Sequence, residues 1–151
     1  MSELKAGDKA PDFTGKDQNG KTICLAQFKG KKLALYFYPK DDTPGCTAEA
    51  CDLRDNYSDL KEKGYEIVGV SADSEKSHQK FIAKYGLPFP LIADEEKKII
   101  TAYQAWGEKS MYGKSYMGIL RKTFVISGNG VIEKIIEKVK TNEHSKQIFE
   151  D

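Results

Sequence analysis

Thr43-Pro44-Gly45-Cys46 follows the apolar run Leu33-Ala34-Leu35-Tyr36-Phe37-Tyr38 and a short loop, and it leads into a helical pattern. Thr43 suits an N-cap and Pro44 the first helical position, so Cys46 falls in the first turn. The unpaired N–H groups and partial positive charge of a helix N-terminus stabilise an anionic sulfur, which draws a thiol below its free pKa of about 8.5. Cys51 stands five residues further on. Two cysteines on one short helix, in a chain without an export signal, read as a redox pair sooner than a structural disulfide, because cytosolic disulfides are usually transient. The plain alternative is a partly buried cysteine acting as a small hydrophobe, with an unrelated neighbour on the surface.

At about 100° per residue, Ala50, Leu53, Tyr57 and Leu60 gather on the side of the helix to which Cys46 points, so Cys46 faces inward. Cys51 lies roughly 140° away, toward solvent, and a regular helix puts its Cα about 8.7 Å from that of Cys46. Bridged cysteines need Cα atoms within about 7 Å, so any bond between these two requires the first turns to unwind.

The surrounding elements alternate. Asn19-Gly20 between short extended pieces in residues 12 to 25 signals a hairpin. A strand at 33 to 38, a helix over 44 to 63, a strand at 66 to 71 and a helix over 75 to 85 follow. Next come an apolar piece at 91 to 93 and a short helix over 95 to 103. Strand, helix, strand, helix argues for a parallel sheet. Residues 123 to 126 and 131 to 136 flank Ser127-Gly128-Asn129-Gly130 and read as an antiparallel hairpin, with a last helix from Asn142. This is an α/β layout of the thioredoxin-like kind: a central mixed β-sheet, flanking helices and an N-terminal β-hairpin extension. All of residues 1 to 151 are expected to form one domain.

Composition removes several classes of function. Lys and Arg number 24 against 23 Asp and Glu, so a net charge of +1 gives no general attraction to nucleic acid or membrane. The short run Lys29-Gly30-Lys31-Lys32 reads as a solvated turn. Met1-Ser2-Glu3-Leu4-Lys5 opens polar and charged, and no stretch approaches the roughly eighteen apolar residues of a membrane span, so a cytoplasmic protein is expected.

Pro39, Thr43 and Cys46 match Pro-x-x-x-Thr-x-x-Cys, and with Thr47 and Glu49 the segment resembles the active-site motif of peroxiredoxins. Ala10-Pro11-Asp12-Phe13, Val70-Ser71-Ala72-Asp73-Ser74, Ser77-His78-Gln79-Lys80-Phe81, Leu87-Pro88-Phe89-Pro90-Leu91 and Gly118-Ile119-Leu120-Arg121-Lys122-Thr123-Phe124 extend the resemblance along nearly the whole chain. Cys51, placed where it is, resembles the Q-type subgroup, also called the bacterioferritin comigratory proteins. Ser127 departs from the acidic residue more usual there, but it lies in a turn.

The resemblance implies a thiol peroxidase in which Cys46 attacks a hydroperoxide and Cys51 resolves the sulfenic acid. An external dithiol, thioredoxin above all, is then the expected reductant. The leaving oxygen needs donors, and the candidates are the N–H groups of Gly45 and Cys46, the Thr43 hydroxyl and the Arg121 guanidinium. Pro39 resembles the family's proline that covers the site and limits water there. Glu49 is placed to steer Arg121, although an acidic residue early in a helix also serves helix electrostatics. No metal or organic cofactor is implied. A monomer is expected, since no C-terminal resolving cysteine of the subunit-joining kind is present.

Weaker candidates remain. Cys24 reads as a packing residue. His78 and His144 stand alone on predicted helices, with no ligand spacing for zinc. Tyr103, Trp106, Tyr112 and Tyr116 read as core or lid packing, with a substrate-facing wall as the alternative. Two other functions compete: a dithiol-disulfide oxidoreductase, disfavoured because Cys-x-x-Cys is absent, and a redox sensor that unfolds its helix on oxidation. Many turnovers of peroxide with a thioredoxin system mark the peroxidase; a sensor reacts once.

Overall fold

Period-2 alternation in strand β3 (Lys32–Phe37) sends Leu33, Leu35 and Phe37 to one side and Ala34 and Tyr36 to the other, and all five are buried. A strand apolar on both faces needs cover on both faces. It is the middle of a five-stranded sheet in the computed structural model, which describes residues 3–150. β4 (Tyr65–Ser71) pairs parallel with β3, and β5 (Leu91–Ala93) parallel with β4. On the other side β8 (Lys122–Ile126) pairs antiparallel with β3, and β9 (Ile132–Ile136) antiparallel with β8. The spatial order is β5-β4-β3-β8-β9, a central mixed sheet as the sequence pattern predicts.

Helices α1 (Pro44–Asp55), α2 (Tyr57–Glu62), α3 (Glu75–Tyr85) and α5 (His144–Phe149) cover the face of Ala34, Tyr36 and Tyr38. They contribute Cys46, Ala50 and Leu53, then Leu60, Phe81 and Ile148. The opposite face is closed by Ile99 and Ile100 of α4 (Lys98–Ala102) and by the hairpin of β1 (Thr14–Lys16) and β2 (Thr22–Cys24), with Phe13 and Ile23. In that hairpin Asp17 Oδ1 accepts from the N–H groups of Asn19 and Lys21, and Gly20 takes φ 75°.

Two sequence expectations change, and one segment that the sequence left unassigned takes shape. The helix expected over 44 to 63 breaks at Asn56, whose φ/ψ move to −111°/11° and whose Nδ2 (2.9 Å) shares the Asp52 carbonyl with its own backbone N–H (3.2 Å). The helix expected over 95 to 103 starts only at Lys98, because Lys97 takes φ 60°. The aromatic segment after Tyr103 is an antiparallel ribbon, β6 (Trp106–Met111) with β7 (Lys114–Ile119), turning on Tyr112 (φ 54°) and Gly113 (φ 77°). Among the described residues no helix is long and apolar enough to cross a membrane.

Candidate active site

β3 ends at Phe37, and the chain passes through Tyr38, Pro39, Lys40, Asp41 and Asp42 before α1 begins, so the start of α1 lies beyond the C-terminal end of the central strand. Cys46 is 2% exposed there. Arg121, in the link between β7 and β8, brings Nη2 to 3.3 Å from Cys46 Sγ while Nη1 donates to Glu49 Oε1 at 2.7 Å. Gly45 eases this approach: a Cβ at that position would sit 3.3 Å from Arg121 Nη2, close enough that the guanidinium would have to shift slightly. Burial works against the Arg121 charge, but Glu49 and Cys46 outweigh it and its pKa is raised.

Glu49 faces into the protein and is fully buried. Burial raises its carboxyl from 4.5 to about 7 even though Arg121 pulls it down. Beyond it lies His144, 3.4 Å from Oε2 through its Nε2 and 2.7 Å from Thr123 Oγ1 through the same atom. Burial lowers the pKa of His144. The phenol of Tyr36, also buried, is raised well above its ordinary value by burial and by Glu49. Lys109 of β6 donates to the Ile119 carbonyl at 2.9 Å; burial and Arg121 lower its pKa, and Cys46 opposes them.

The loop before α1 is fixed by side chains from elsewhere. Asp41 accepts from Tyr38 Oη (2.6 Å) and Ser77 Oγ (2.8 Å), lies 2.7 Å from His78 Nδ1, and gives its own N–H to Asp73 (2.9 Å). His78 Nε2 is 3.0 Å from the Ile92 carbonyl. Asp42, at φ 57°, accepts from Lys84 (2.8 Å) and Tyr85 (2.7 Å), which lower its pKa. Asp41, Asp73 and His78 are also the trio among the described residues whose ligand atoms lie close enough to hold a metal, but these atoms serve the loop's hydrogen bonds.

Of the residues singled out in the sequence, the structure therefore brings Cys46, Gly45, Glu49 and Arg121 together. Thr43 holds the N-cap position, yet its hydroxyl donates to the Lys40 carbonyl (2.9 Å) and does not cap the helix, leaving the first-turn N–H groups without a side-chain acceptor. Pro39 is half-buried in the loop. Cys51 lies on a different side of α1 and is half-buried where an exposed position was expected; all three cysteines are free. Cys24 is half-buried at the end of β2. The two histidines do not stand alone: each is fully buried against a carboxylate on another element. Sequence reasoning missed Asp41, Tyr38 and Thr123 as well, since such pairings join residues far apart in the chain; Ser77-His78 was visible only as part of a familial segment. Tyr103 proves to be core, its Oη donating to the Pro11 carbonyl at 2.6 Å, whereas Trp106, Tyr112 and Tyr116 are exposed.

Comparison with known proteins follows the same lines. The AhpC/TSA family model matches residues 6–135. Peroxiredoxin Bcp of Bacillus subtilis is 48% identical over 141 residues, covering 93% of this chain and 90% of the relative. Peroxiredoxin Bcp of Escherichia coli K12 is 44% identical over 144 residues, 95% of this chain and 92% of that one. Among solved structures, a cysteine-to-serine mutant of PrxQ from Xylella fastidiosa superposes with a TM-score of 0.90 at 31% identity, covering 98% and 94% of the two chains. The bacterioferritin comigratory protein of Xanthomonas campestris, studied for its alkyl peroxide reduction activity, gives 0.84 at 38% identity over 90% and 87%.

Proposed function

The chain belongs to the AhpC/TSA family and is a thiol-dependent peroxidase, and from that premise we propose that Cys46 is its attacking and Cys51 its resolving cysteine, with thioredoxin or a similar dithiol closing the cycle. The Cys46 thiolate attacks the terminal oxygen of the hydroperoxide and the O–O bond breaks. Its electron pair leaves with the second oxygen, which takes a proton to depart as water or an alcohol, and the sulfur becomes a sulfenic acid. Arg121 stabilises both the thiolate and the charge developing on the leaving oxygen, joined by the first-turn N–H groups of Gly45 and Cys46. Thr43 assists once its hydroxyl turns from Lys40, and Pro39 limits water at the sulfur. Glu49 holds Arg121 in place.

The Cys51 sulfur then attacks Cys46, the sulfenic oxygen leaves as water, and a disulfide forms. Two exchange steps with the external dithiol return both thiols and leave the reductant oxidised. Hydrogen peroxide and organic hydroperoxides both fit this chemistry, and the alkyl peroxide activity of the Xanthomonas relative supports the second class. A cytoplasmic monomer remains part of this reading, and the even charge balance supports a protein with no general attraction to nucleic acid or to a membrane surface.

The observation that carries the reading is the Arg121 guanidinium bridging Cys46 Sγ and Glu49. The test is steady-state consumption of hydrogen peroxide with thioredoxin, its reductase and NADPH, together with intact mass after one equivalent of peroxide. Many turnovers and an intramolecular disulfide are expected; a single turnover would transfer the protein to the sensor class.

A further inference from the structure

Two buried acceptors face one another beneath the active site. The tautomer of His144 is set by Gln147, whose Nε2 donates to the Lys138 carbonyl (2.9 Å) and whose Oε1 accepts from the Lys140 N–H (2.9 Å). That same Oε1 lies 3.0 Å from His144 Nδ1, so Nδ1 carries a hydrogen and a neutral ring presents its lone pair at Nε2. Nε2 meets Thr123 Oγ1, which can donate, and Glu49 Oε2 at 3.4 Å, which as a carboxylate cannot. Oε2 is buried and has no hydrogen-bond partner among the described residues. The Thr123 hydroxyl can satisfy Nε2, but Oε2 is left a costly desolvated acceptor unless a hydrogen lies between it and Nε2.

We propose that Glu49 Oε2 and His144 Nε2 share one proton, and that through it His144 is a positioning residue for Arg121 and the reactive Cys46. The inference rests on the roles proposed for those two residues. With the shared proton present, a thiolate, the Arg121 guanidinium and the Glu49–His144 pair sum to zero charge in a buried site. Without it the site carries a net negative charge that opposes the thiolate. Once Cys46 is oxidised to a neutral sulfenic acid or disulfide, the same proton leaves an excess positive charge and is held more weakly.

The groups around the pair are few. Asp52 of α1 favours the proton at both members and itself accepts from the Ser145 N–H. Arg121 opposes it at both members, and Lys134 of β9 opposes it at His144. Tyr36 of β3 is neutral, and Lys109 of β6 acts on Arg121 and Cys46. Burial drives the Glu49 carboxyl up and the His144 ring down, so the pair holds one proton and not two near neutrality.

The chain has 2 histidines, so the ring signals of His144 in 15N-histidine-labelled protein are identified by their loss in His144→Gln. The reduced wild type and Cys46→Ser are titrated between about pH 5 and 9 with no peroxide present. The Nε2 signal is expected to move through one step in each, with the midpoint in Cys46→Ser lower by about half a unit, a threefold weaker hold on the proton, because the neighbouring negative charge is gone. Equal midpoints, or a flat Nε2 signal, would overturn the proposal. As a second readout, the rate of Cys46 oxidation by one pulse of hydrogen peroxide should show a near-neutral inflection that His144→Gln lacks, since glutamine can donate to Oε2 at every pH. Superimposable pH profiles would likewise overturn it. Neither measurement involves turnover or reductant, so their failure leaves the peroxidase reading standing, and failure of the thioredoxin assay leaves the titration interpretable.

Discussion

Closing a Cys46–Cys51 disulfide should lower the melting temperature of the protein by about 10–20 °C. α1 is regular from Pro44 to Asp55, and its cysteines must come from about 8.7 Å to within about 7 Å between Cα atoms. Unwinding the segment from Pro44 to Cys51 releases about five helical hydrogen bonds, those donated by residues 47 to 51 and beginning with Thr47 N–H to Thr43 O at 2.8 Å, at about 1 kcal/mol each. Withdrawing Cys46 and Ala50, both buried, from contact adds about 2 kcal/mol. Against this, cross-linking a loop of about six residues restrains the unfolded chain by about 2 kcal/mol. The net loss of about 5 kcal/mol translates, at about 2–4 °C per kcal/mol for a chain of this size, into the stated shift. The loss should be confined, because Asp52 Oδ2 accepts from the Ser145 N–H (2.7 Å) and Arg54 Nη1 donates to the Tyr85 carbonyl (2.7 Å). Thermal unfolding by circular dichroism is compared for the reduced protein and for protein whose disulfide is verified by intact mass, alongside amide exchange over residues 43 to 55. An oxidised form that melts at or above the reduced one, or that exchanges no faster between 43 and 51, would refute the unwinding.

Cys46→Ser should abolish peroxide consumption, whereas Cys24→Ser should leave the steady-state rate unchanged. Cys51→Ser should react once with peroxide, lose thioredoxin-linked turnover and accumulate sulfinic acid detectable by mass. Arg121→Ala should slow the peroxide step on the order of a hundredfold, and Gly45→Ala should slow it less by pressing a methyl 3.3 Å from Arg121 Nη2, both read by rapid-quench kinetics. Burial raises Glu49 from 4.5 to about 7, so its stabilising contribution is whole below about 4.5 and is lost as the pH rises through about 7. Glu49→Gln should therefore flatten the decline in unfolding free energy between pH 4.5 and 7, by at most about 3 kcal/mol in urea titrations, and an unchanged pH slope would contradict this.

The sheet and the first turn of α1 were legible because they rest on local signals: a two-sided apolar strand, Thr-Pro at a helix start, Asn19-Gly20 at a hairpin. The break at Asn56 was not, because the apolar period runs through it from Leu53 to Leu60 and the local change in φ/ψ, with Asn56 Nδ2 joining its N–H on the Asp52 carbonyl, leaves no mark in that period. The β6–β7 ribbon was hidden for a related reason: its turn puts the aromatic Tyr112 at φ 54°, where asparagine or aspartate is the usual sign. Cys46 and Arg121 could be named from their segments. The support beneath them, His144 and Thr123 behind Glu49 and His78 behind Asp41, exists only once distant elements meet.

The interruption at Asn56 also bears on how fast the protein recovers between encounters with oxidant. Starting a helix in open chain is statistically rare, with a nucleation factor on the order of 10⁻³, while adding residues to an existing turn takes nanoseconds each. The stub from Asp52 to Asp55, moored by Ser145, Tyr85 and the Asn56 amide, is a standing seed against which the N-terminal turns can zip after the disulfide is reduced. α2, beginning afresh at Tyr57, is insulated from that fraying and regrowth. On the proposed cycle, rewinding is expected within about a microsecond, which would leave the tempo to thiol chemistry and to the arrival of the reductant.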